Sequence, residues 1–388
     1  MLNMTLTRGE RGFPAPPRRN PPAGAQSLAD ALGATRAAVR AHLSRLVTKR
    51  AVPGRGHIPR QGHAVVVIGG ANVDIKVRSL APVALRTSNP GRSHTSPGGV
   101  ARNVAENLAR LGTPTHLIAA VGQDAAGERL LTETRAAGVR VDHVRRGPHP
   151  TGTYTAVLDA DGDLLVAVAD MAATDALSPE HLRPARELIG HAGMLVLDGN
   201  LSPRMLSYVL DIAATTRVQT LIDPVSAPKA ALLAPLFTAR RPVFALTPNA
   251  AELGALTGRD LDPAAGRDDR ELIRAVAVLH ERGVRHVWVR LGARGSLLST
   301  EGEDRVPLDA PPAEVHDATG AGDAMLGAFA HALLTGADPV GAARYGHAAA
   351  ALTVATSATV RPDLTPRLIE DALNAPQRRS PWQRPTPG

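Results

Sequence analysis

Residues 317–329 read DATGAGDAMLGAF. Two glycines and two carboxylates fall within seven residues, and an apolar, Ala-rich run follows at once. Gly320 and Gly322 would weaken any helix that contained them. The spacing predicts a glycine turn with a helix starting beside it and continuing through AMLGAFAHALLTG. In such a turn the main-chain N–H groups of Gly320, Ala321 and Gly322 have little side chain in the way. Free N–H donors and the positive end of a helix together make an anion site. Asp323 then stands in the first helical turn, where the dipole favours its ionised form by roughly 0.3–1 kcal/mol. A carboxylate beside an anion cradle works against simple phosphate binding. It makes chemical sense if Asp323 takes a proton from a hydroxyl that attacks phosphorus. Taken by itself, G-x-G-D is also an ordinary helix-capping turn.

The elements that must position these groups alternate along the chain. AVVVIGG (64–70) reads as a buried strand, GVARNVAENLARLG (99–112) as an amphipathic helix, and THLIAAVG (115–122) as the next strand. Then come the helix GERLLTETRAAG, the strand GMLVLDGN (193–200), the helix SPRMLSYVLDIAATT, and the strands QTLIDP and PVFALTPN. The helix DDRELIRAVAVLHERG and the strand HVWVRLG (286–292) follow. Short strands alternating with longer helices predict a mostly parallel sheet covered on both faces. Ligands bind such sheets beyond the carboxyl ends of the strands. TGTYTAVLDADGDLLVAVAD (151–170) breaks the alternation and predicts a hairpin that would cover an active site.

Bulk composition narrows the class. The chain has 388 residues, 44% hydrophobic and 21% charged, ordinary for a soluble globular protein. Aromatics are only 2%, so Ala, Val and Leu must fill the core. With no cysteine, disulfides, thiol nucleophiles and Cys-zinc sites are excluded. That fits a reducing cytoplasm. No 18-residue apolar span occurs, nor a signal-like apolar run in the first 30 residues. The expectation is a cytoplasmic protein with no membrane partner.

Charge is unevenly placed. Residues 1–63 carry eleven Arg and Lys against Glu10 and Asp30, a net +9, whereas the other 325 residues carry 33 basic and 34 acidic side chains. A phosphate-bearing partner for that segment is one expectation; a solvated Arg-rich tail is the other. Residues 1–25 are Pro-rich and read as a disordered basic arm. Residues 26–60 read as a helix-turn-helix-like segment, with helices near 27–32 and 35–48 around Gly33 and a short wing in PGRGHIP. Without a preceding helix it is an incomplete winged helix, which weighs against DNA as a partner. Residues 371–388 read as a flexible tail.

DATGAGDAMLGAF resembles the C-terminal signature of the ribokinase-like (PfkB) carbohydrate kinases. SPGGVARNVAENLARLG (96–112) resembles their N-terminal signature, TPNAAEL (247–253) their N-x-x-E motif, and VRLGARGSLL (289–298) their nucleotide-site strand and turn. The order and spacing fit over residues 64–370. VIGGANVDIK followed by TSNPGRSHTSPGGVARNVAENLARLG, behind a helix-turn-helix, is similar to the pseudouridine kinase branch.

The resemblance implies a three-layer α/β/α sandwich with a mostly parallel central sheet and a small β lid, behind a short helical appendage. It implies an ATP-dependent kinase, with the 5′-hydroxyl of pseudouridine as acceptor and pseudouridine 5′-phosphate as product. The alternatives are another nucleoside or simple sugar as acceptor, or a sugar-responsive DNA-binding regulator on a kinase body. Asp323 would be the base, and Gly320, Ala321 and Gly322 the anion hole. Asn72, Asp74, Gly98, Gly99, Asn103 and Asn200 would bind the acceptor. Asn249, Gly292 and Gly295 would serve the nucleotide, and Glu252 the magnesium shell. Asp317 would help hold a monovalent cation, K⁺. The implied cofactors are thus ATP, Mg²⁺ and K⁺, and the implied assembly is a homodimer joined through the lid hairpin.

Phosphoryl transfer needs positioning and charge neutralisation more than covalent chemistry. No G-x-x-x-x-G-K-[ST] occurs, so a Walker-type lysine is absent, and backbone N–H groups, metal and Arg290 or Arg294 must do that work. Several residues also have plainer readings. Asp74 is a turn aspartate, Asn103 a polar residue at a helix start, Glu252 a solvent-facing acid and Asp317 a loop acid. Tyr154 and Phe244 are the stacking candidates and read better as packing residues. His316, His331 and His347 make no metal pattern.

Overall fold

The computed structural model describes residues 64–375 apart from positions 263 and 265. The expected 1–25 arm, the expected 26–60 helix-turn-helix-like segment and residues 376–388 of the expected 371–388 tail lie outside the described residues, whereas 371–374 belong to the last helix. The chain runs first along β1 (Val65–Ile68), four buried residues. β2 (Asn72–Ser79) and β3 (Gly91–Gly98) form an antiparallel pair that registers Asn72 opposite Gly98 and Asp74 opposite Ser96. Helix α1 (Val100–Arg110) leads to β4 (Thr115–Ile118). β5 (Ala120–Gly122) and β6 (Arg145–Gly147) pair in parallel around α2 (Ala125–Ala136). β7 (Thr153–Leu158) and β8 (Leu164–Asp170) form the expected 151–170 hairpin.

β9 (Met194–Asp198), α3 (Pro203–Thr216), β10 (Thr220–Asp223) and β11 (Val243–Leu246) follow. Then come α4 (Ala250–Thr257), α5 (Arg270–Glu281), β12 (Val284–Arg290), β13 (Ser296–Thr300) and β14 (Val306–Leu308). The last principal helices are α6 (Ala321–Leu334), α7 (Pro339–Val354) and α8 (Pro366–Asn374). The central sheet has eight strands in the order β14-β13-β12-β11-β10-β9-β1-β4. β4 through β12 in that order are parallel, and β13 and β14 add on antiparallel.

The two faces follow from the strand period of two. Val66 and Ile68 point to one apolar layer, with Leu195, Leu197, Ile222 and Val289, against Met205 and Val209 of α3 and Leu272 and Val276 of α5. Val65 and Val67 point to the other, with Val196, Leu221 and Trp288, against Val104 and Leu108 of α1 and Leu326 and Phe329 of α6. Each such side chain, fully buried, contributes about 1.5–3 kcal/mol. Trp288 is the largest, its ring centroid 4.9 Å from that of Phe329 and its indole N–H donating to Ser296 Oγ at 2.8 Å.

The fold differs from the sequence reading in two places. The 115–122 strand breaks at Ala119 into β4 and β5, because β5 leaves the main sheet to pair with β6. The lid is a four-stranded sheet, order β3-β2-β7-β8, rather than a lone hairpin. The alternation in VDIKVR carried that signal for β2, with polar Asp74, Lys76 and Arg78 interleaved between Val73, Ile75 and Val77. Among the described residues no helix is long and apolar enough to cross a membrane.

Candidate active site

Parallel strands end on one edge of the sheet, and that edge gathers the polar residues. β9 ends in Asp198 and β10 in Asp223, which stand side by side in register. β12 ends in Arg290, bridged to Asn249 just after β11. The turn after β1 leads directly to Asn72 on β2.

α6 begins as the glycine spacing predicts. Gly320 caps it at φ 81°, and a Cβ there would collide with the carbonyl oxygen of Thr359. That combination of left-handed backbone and close approach is open only to glycine. At Gly322 a Cβ would press on the Arg290 guanidinium. Asp323, in the first turn, is buried, and its Oδ2 accepts a hydrogen bond from Asn103 Nδ2 on α1 at 2.8 Å. The Asn103 amide has one orientation available, since its Oδ1 accepts from Arg102 Nη1 at 3.0 Å. Burial, reinforced by the neighbouring Asp223 and Asp198 charges, pushes the Asp323 carboxyl up to about 8 against the opposing pull of Asn103 and Arg290. The helix dipole favours the ionised form; desolvation outweighs it, because the carboxyl is buried and not in water.

Arg290 ties this end of the sheet together. Its Nη1 lies 2.9 Å from Asp223 Oδ2 and its Nη2 3.4 Å from Glu252 Oε2. Burial works against its charge, but Asp223 and Glu252 prevail and hold the guanidinium above its ordinary pKa. Glu252 is buried and does not face solvent. Glu252 and Asn249 form a reciprocal cap on α4: Asn249 Oδ1 accepts from Glu252 N, and Glu252 Oε2 from Asn249 N, each at 2.9 Å. Gly292 (φ 60°) opens onto free space beyond β12, whereas Gly295 (φ 85°) is pressed against the Leu308 carbonyl. Of the two, only Gly292 leaves room for a ligand.

On the lid face, Asn72 Nδ2 donates to Asp74 Oδ1 at 2.7 Å. Burial raises the Asp74 carboxyl, partly offset by Asn72, Lys76 and Arg102. Any Cβ at Gly98 would strike the Asp74 carboxylate, and one at Gly99 would strike the Gly70 backbone. The glycine pair thus lets the start of α1 lie against the β1–β2 turn. Asp198 fastens the same region from below. Its carboxylate accepts from Gly70 N (2.9 Å), Ala101 N (2.8 Å) and Asn200 N (2.9 Å). Asn200 Oδ1 also accepts from Lys229 Nζ. Asp317 binds Lys76 through Oδ2 and accepts from Thr319 N through Oδ1 at 2.8 Å.

The structure therefore joins Asn103, Asp323, Arg290, Glu252 and Asn249 in one group. It gathers Asn72, Asp74, Gly98, Gly99 and Asn200 in a second around Asp198. Asp198, Asp223, Lys76 and Lys229 are site residues that the sequence reading did not single out. The signal for the aspartates was their place at strand ends. For the lysines it was rarity, since Lys76 and Lys229 are the only ones after residue 49. Phe244 is buried with its ring 4.7 Å from His286 and is a packing residue. His331 and His347 are structural, bonded to Thr113 Oγ1 at 2.8 Å and Ser296 Oγ at 2.7 Å. No cluster of three or more metal-binding side chains occurs among the described residues. Phosphate-bound Mg²⁺ needs only one or two carboxylates; Glu252 and Asp223 are hard oxygen donors of that kind, each meeting Arg290 through one oxygen only, Oε2 and Oδ2.

Comparison with known proteins identifies the family and the fold. The profile of the pfkB family carbohydrate kinases matches residues 63–366. The chain is 33% identical over 349 residues to the uncharacterized sugar kinase YeiI of Escherichia coli K12, covering 90% of this chain and 94% of that protein. It is 34% identical over 310 residues to a pseudouridine kinase of the same organism, covering 79% and 95%. The solved structure of Arabidopsis thaliana ribokinase complexed with ribose and ATP superposes with a TM-score of 0.70 at 28% identity, covering 81% of this chain and 99% of that one.

Proposed function

The chain belongs to the pfkB family of carbohydrate kinases, and from that premise we propose that it transfers phosphate from ATP to the 5′-hydroxyl of pseudouridine, giving pseudouridine 5′-phosphate. Members of the family are phosphotransferases with an alcohol acceptor. The observation that carries the chemistry is the Asn103–Asp323 hydrogen bond at the open N-terminus of α6. Asp323 is the base. A carboxyl raised to about 8 is a stronger base than an ordinary carboxylate, and its ionised fraction, which grows as pH rises toward 8, takes the hydroxyl proton. The N–H groups of Gly320, Ala321 and Gly322 would serve the developing phosphoryl charge, with Arg290 packed against Gly322 and Ala321 N donating a long 3.3 Å bond to Ala318 O. Arg290 adds positive charge beside them. Asn72 and Asp74 offer the acceptors for vicinal hydroxyls, with Gly98, Gly99, Asn103 and Asn200 completing the pocket wall. Asn249 and Gly292 border the nucleotide, and Gly295 shapes the turn that carries Gly292. When bound, Mg²⁺ would neutralise the nucleotide phosphates, held by Glu252 and Asp223.

Similarity to the E. coli pseudouridine kinase supports the choice of acceptor. A simple sugar is the second reading, favoured by the superposition on a ribokinase with bound ribose. A panel of pseudouridine, other nucleosides, ribose and fructose with ATP and magnesium, scored for phosphorylated product, separates them. Product from ribose and none from pseudouridine removes the proposed acceptor; no product from any removes the kinase. The net +9 of residues 1–63 keeps a DNA-binding regulator as a third reading, which salt-dependent binding of duplex DNA would support. Cytoplasmic residence rests on the absence of cysteine. Self-association through the lid rests on β8, whose Leu164, Leu165, Val166 and Val168 are exposed.

A further inference from the structure

The resemblance implies a monovalent cation at Asp317, but the residues present do not fit one. Asp317 Oδ2 is taken by Lys76 Nζ and Oδ1 by Thr319 N. Lys76 Nζ also donates to Thr319 Oγ1 at 2.9 Å. A second cation at the same carboxylate would face the ammonium at close range, a like-charge contact. Resting on the kinase reading above, we propose that the Lys76 ammonium replaces the monovalent cation beside the anion hole and makes this enzyme independent of K⁺.

Four observations carry it. Lys76 sits mid-strand in β2, paired with His94 on one side and Ala156 on the other, so its backbone is anchored. Alternation puts it on the same lid face as Asn72 and Asp74. Its target segment, 317–319, runs straight into Gly320, so a charge held there sets the position of the anion-hole turn. Finally, only three of the chain's 44 basic residues are lysines, and one of them is used here. Lysine is a compact point charge with three donors, closer to a bare cation than the planar arginine fork. Both oxygens of Asp317 are engaged, Oδ2 by the Lys76 ammonium and Oδ1 by Thr319 N.

One consequence separates this arrangement from a bound ion. Lys76–Asp317 is the ion pair that links the lid sheet to the helical body among the described residues. The positive charge therefore reaches the anion hole on the lid itself, and lid placement and anion-hole order are coupled. Lys76 is thus a positioning residue that acts through Asp317 and Thr319.

The test is turnover of whichever acceptor the panel identifies, with K⁺ replaced by tetramethylammonium at constant ionic strength. Wild type should change less than about twofold, whereas Lys76→Met should lose about tenfold and regain at least about threefold when K⁺ returns. Lys76→Arg keeps the charge and should stay insensitive to K⁺. Calorimetric titration with ADP needs no acceptor. There K⁺ should tighten binding to Lys76→Met and leave wild type unchanged. Stimulation of wild type by K⁺ overturns the proposal, as does a loss in Lys76→Met that K⁺ does not restore. Failure of the kinase reading shows instead as no product with any acceptor, and the ADP titration still reads Lys76.

Discussion

Asn103 Nδ2 donates to Asp323 Oδ2 at 2.8 Å, joining two residues 220 positions apart in sequence. The contact places the N-terminus of α1 against that of α6, so two helix ends converge on one carboxyl group. It also makes the protonation state of Asp323 a property of the assembled fold. Burial pushes the carboxyl up, and this bond pulls it down.

Asp323→Asn should lower turnover by about 10²–10⁴-fold, the usual contribution of a general base. ADP affinity should be unchanged, as measured by calorimetry. Near-normal turnover would remove Asp323 as base. The same variant has a stability signature. The folded carboxyl holds its proton up to about pH 8, against an ordinary value of 3.8, so this group's contribution to stability falls as pH rises between those values. Asp323→Asn abolishes that loss and should melt higher than wild type above pH 8. A melting curve no higher than wild type there would contradict the raised carboxyl.

The pH profile of kcat/KM should rise toward about 8 in wild type, as the free enzyme's base deprotonates. Asn103→Leu deletes the hydrogen bond that stabilises the carboxylate. Its profile should move to higher pH and its maximum should fall. A profile that stays in place would show that Asn103 contacts the acceptor only.

Arg290 lies between two buried carboxylates, Asp223 and Glu252. Arg290→Met leaves both without their counter-charge and should cost about 3–5 kcal/mol in denaturant unfolding. Adding Asp223→Asn to that variant should restore part of the loss, because one orphaned charge is then gone. Strict additivity of the two changes would refute the coupling.

β8 presents Leu164, Val166 and Val168 at 57%, 52% and 65% exposure on the lid sheet. An apolar edge strand of this kind is a ready surface for another chain. Wild type should sediment as a dimer, and Val166→Lys with Val168→Lys as a monomer. A wild type that sediments as a monomer at micromolar concentration would remove the lid as an interface.

Much of the site was legible before the fold. The glycine turn at 320–322, the helix behind it and the alternation of strands and helices are local matters. They follow from the backbone freedom of glycine and from the periods of two and 3.6, which neighbouring residues set between themselves. The sequence by itself also determined that no thiol or Walker lysine takes part, since neither is present. Tertiary structure alone decided which charges meet: Lys76 with Asp317, Arg290 with Asp223 and Glu252, Asn103 with Asp323. It also decided that the Asp323 carboxyl is raised to about 8 where the helix dipole alone favoured the carboxylate. The physical reason is that desolvation and Coulomb energy depend on distance in space, and these partners are brought together only when the strand ends and the lid assemble.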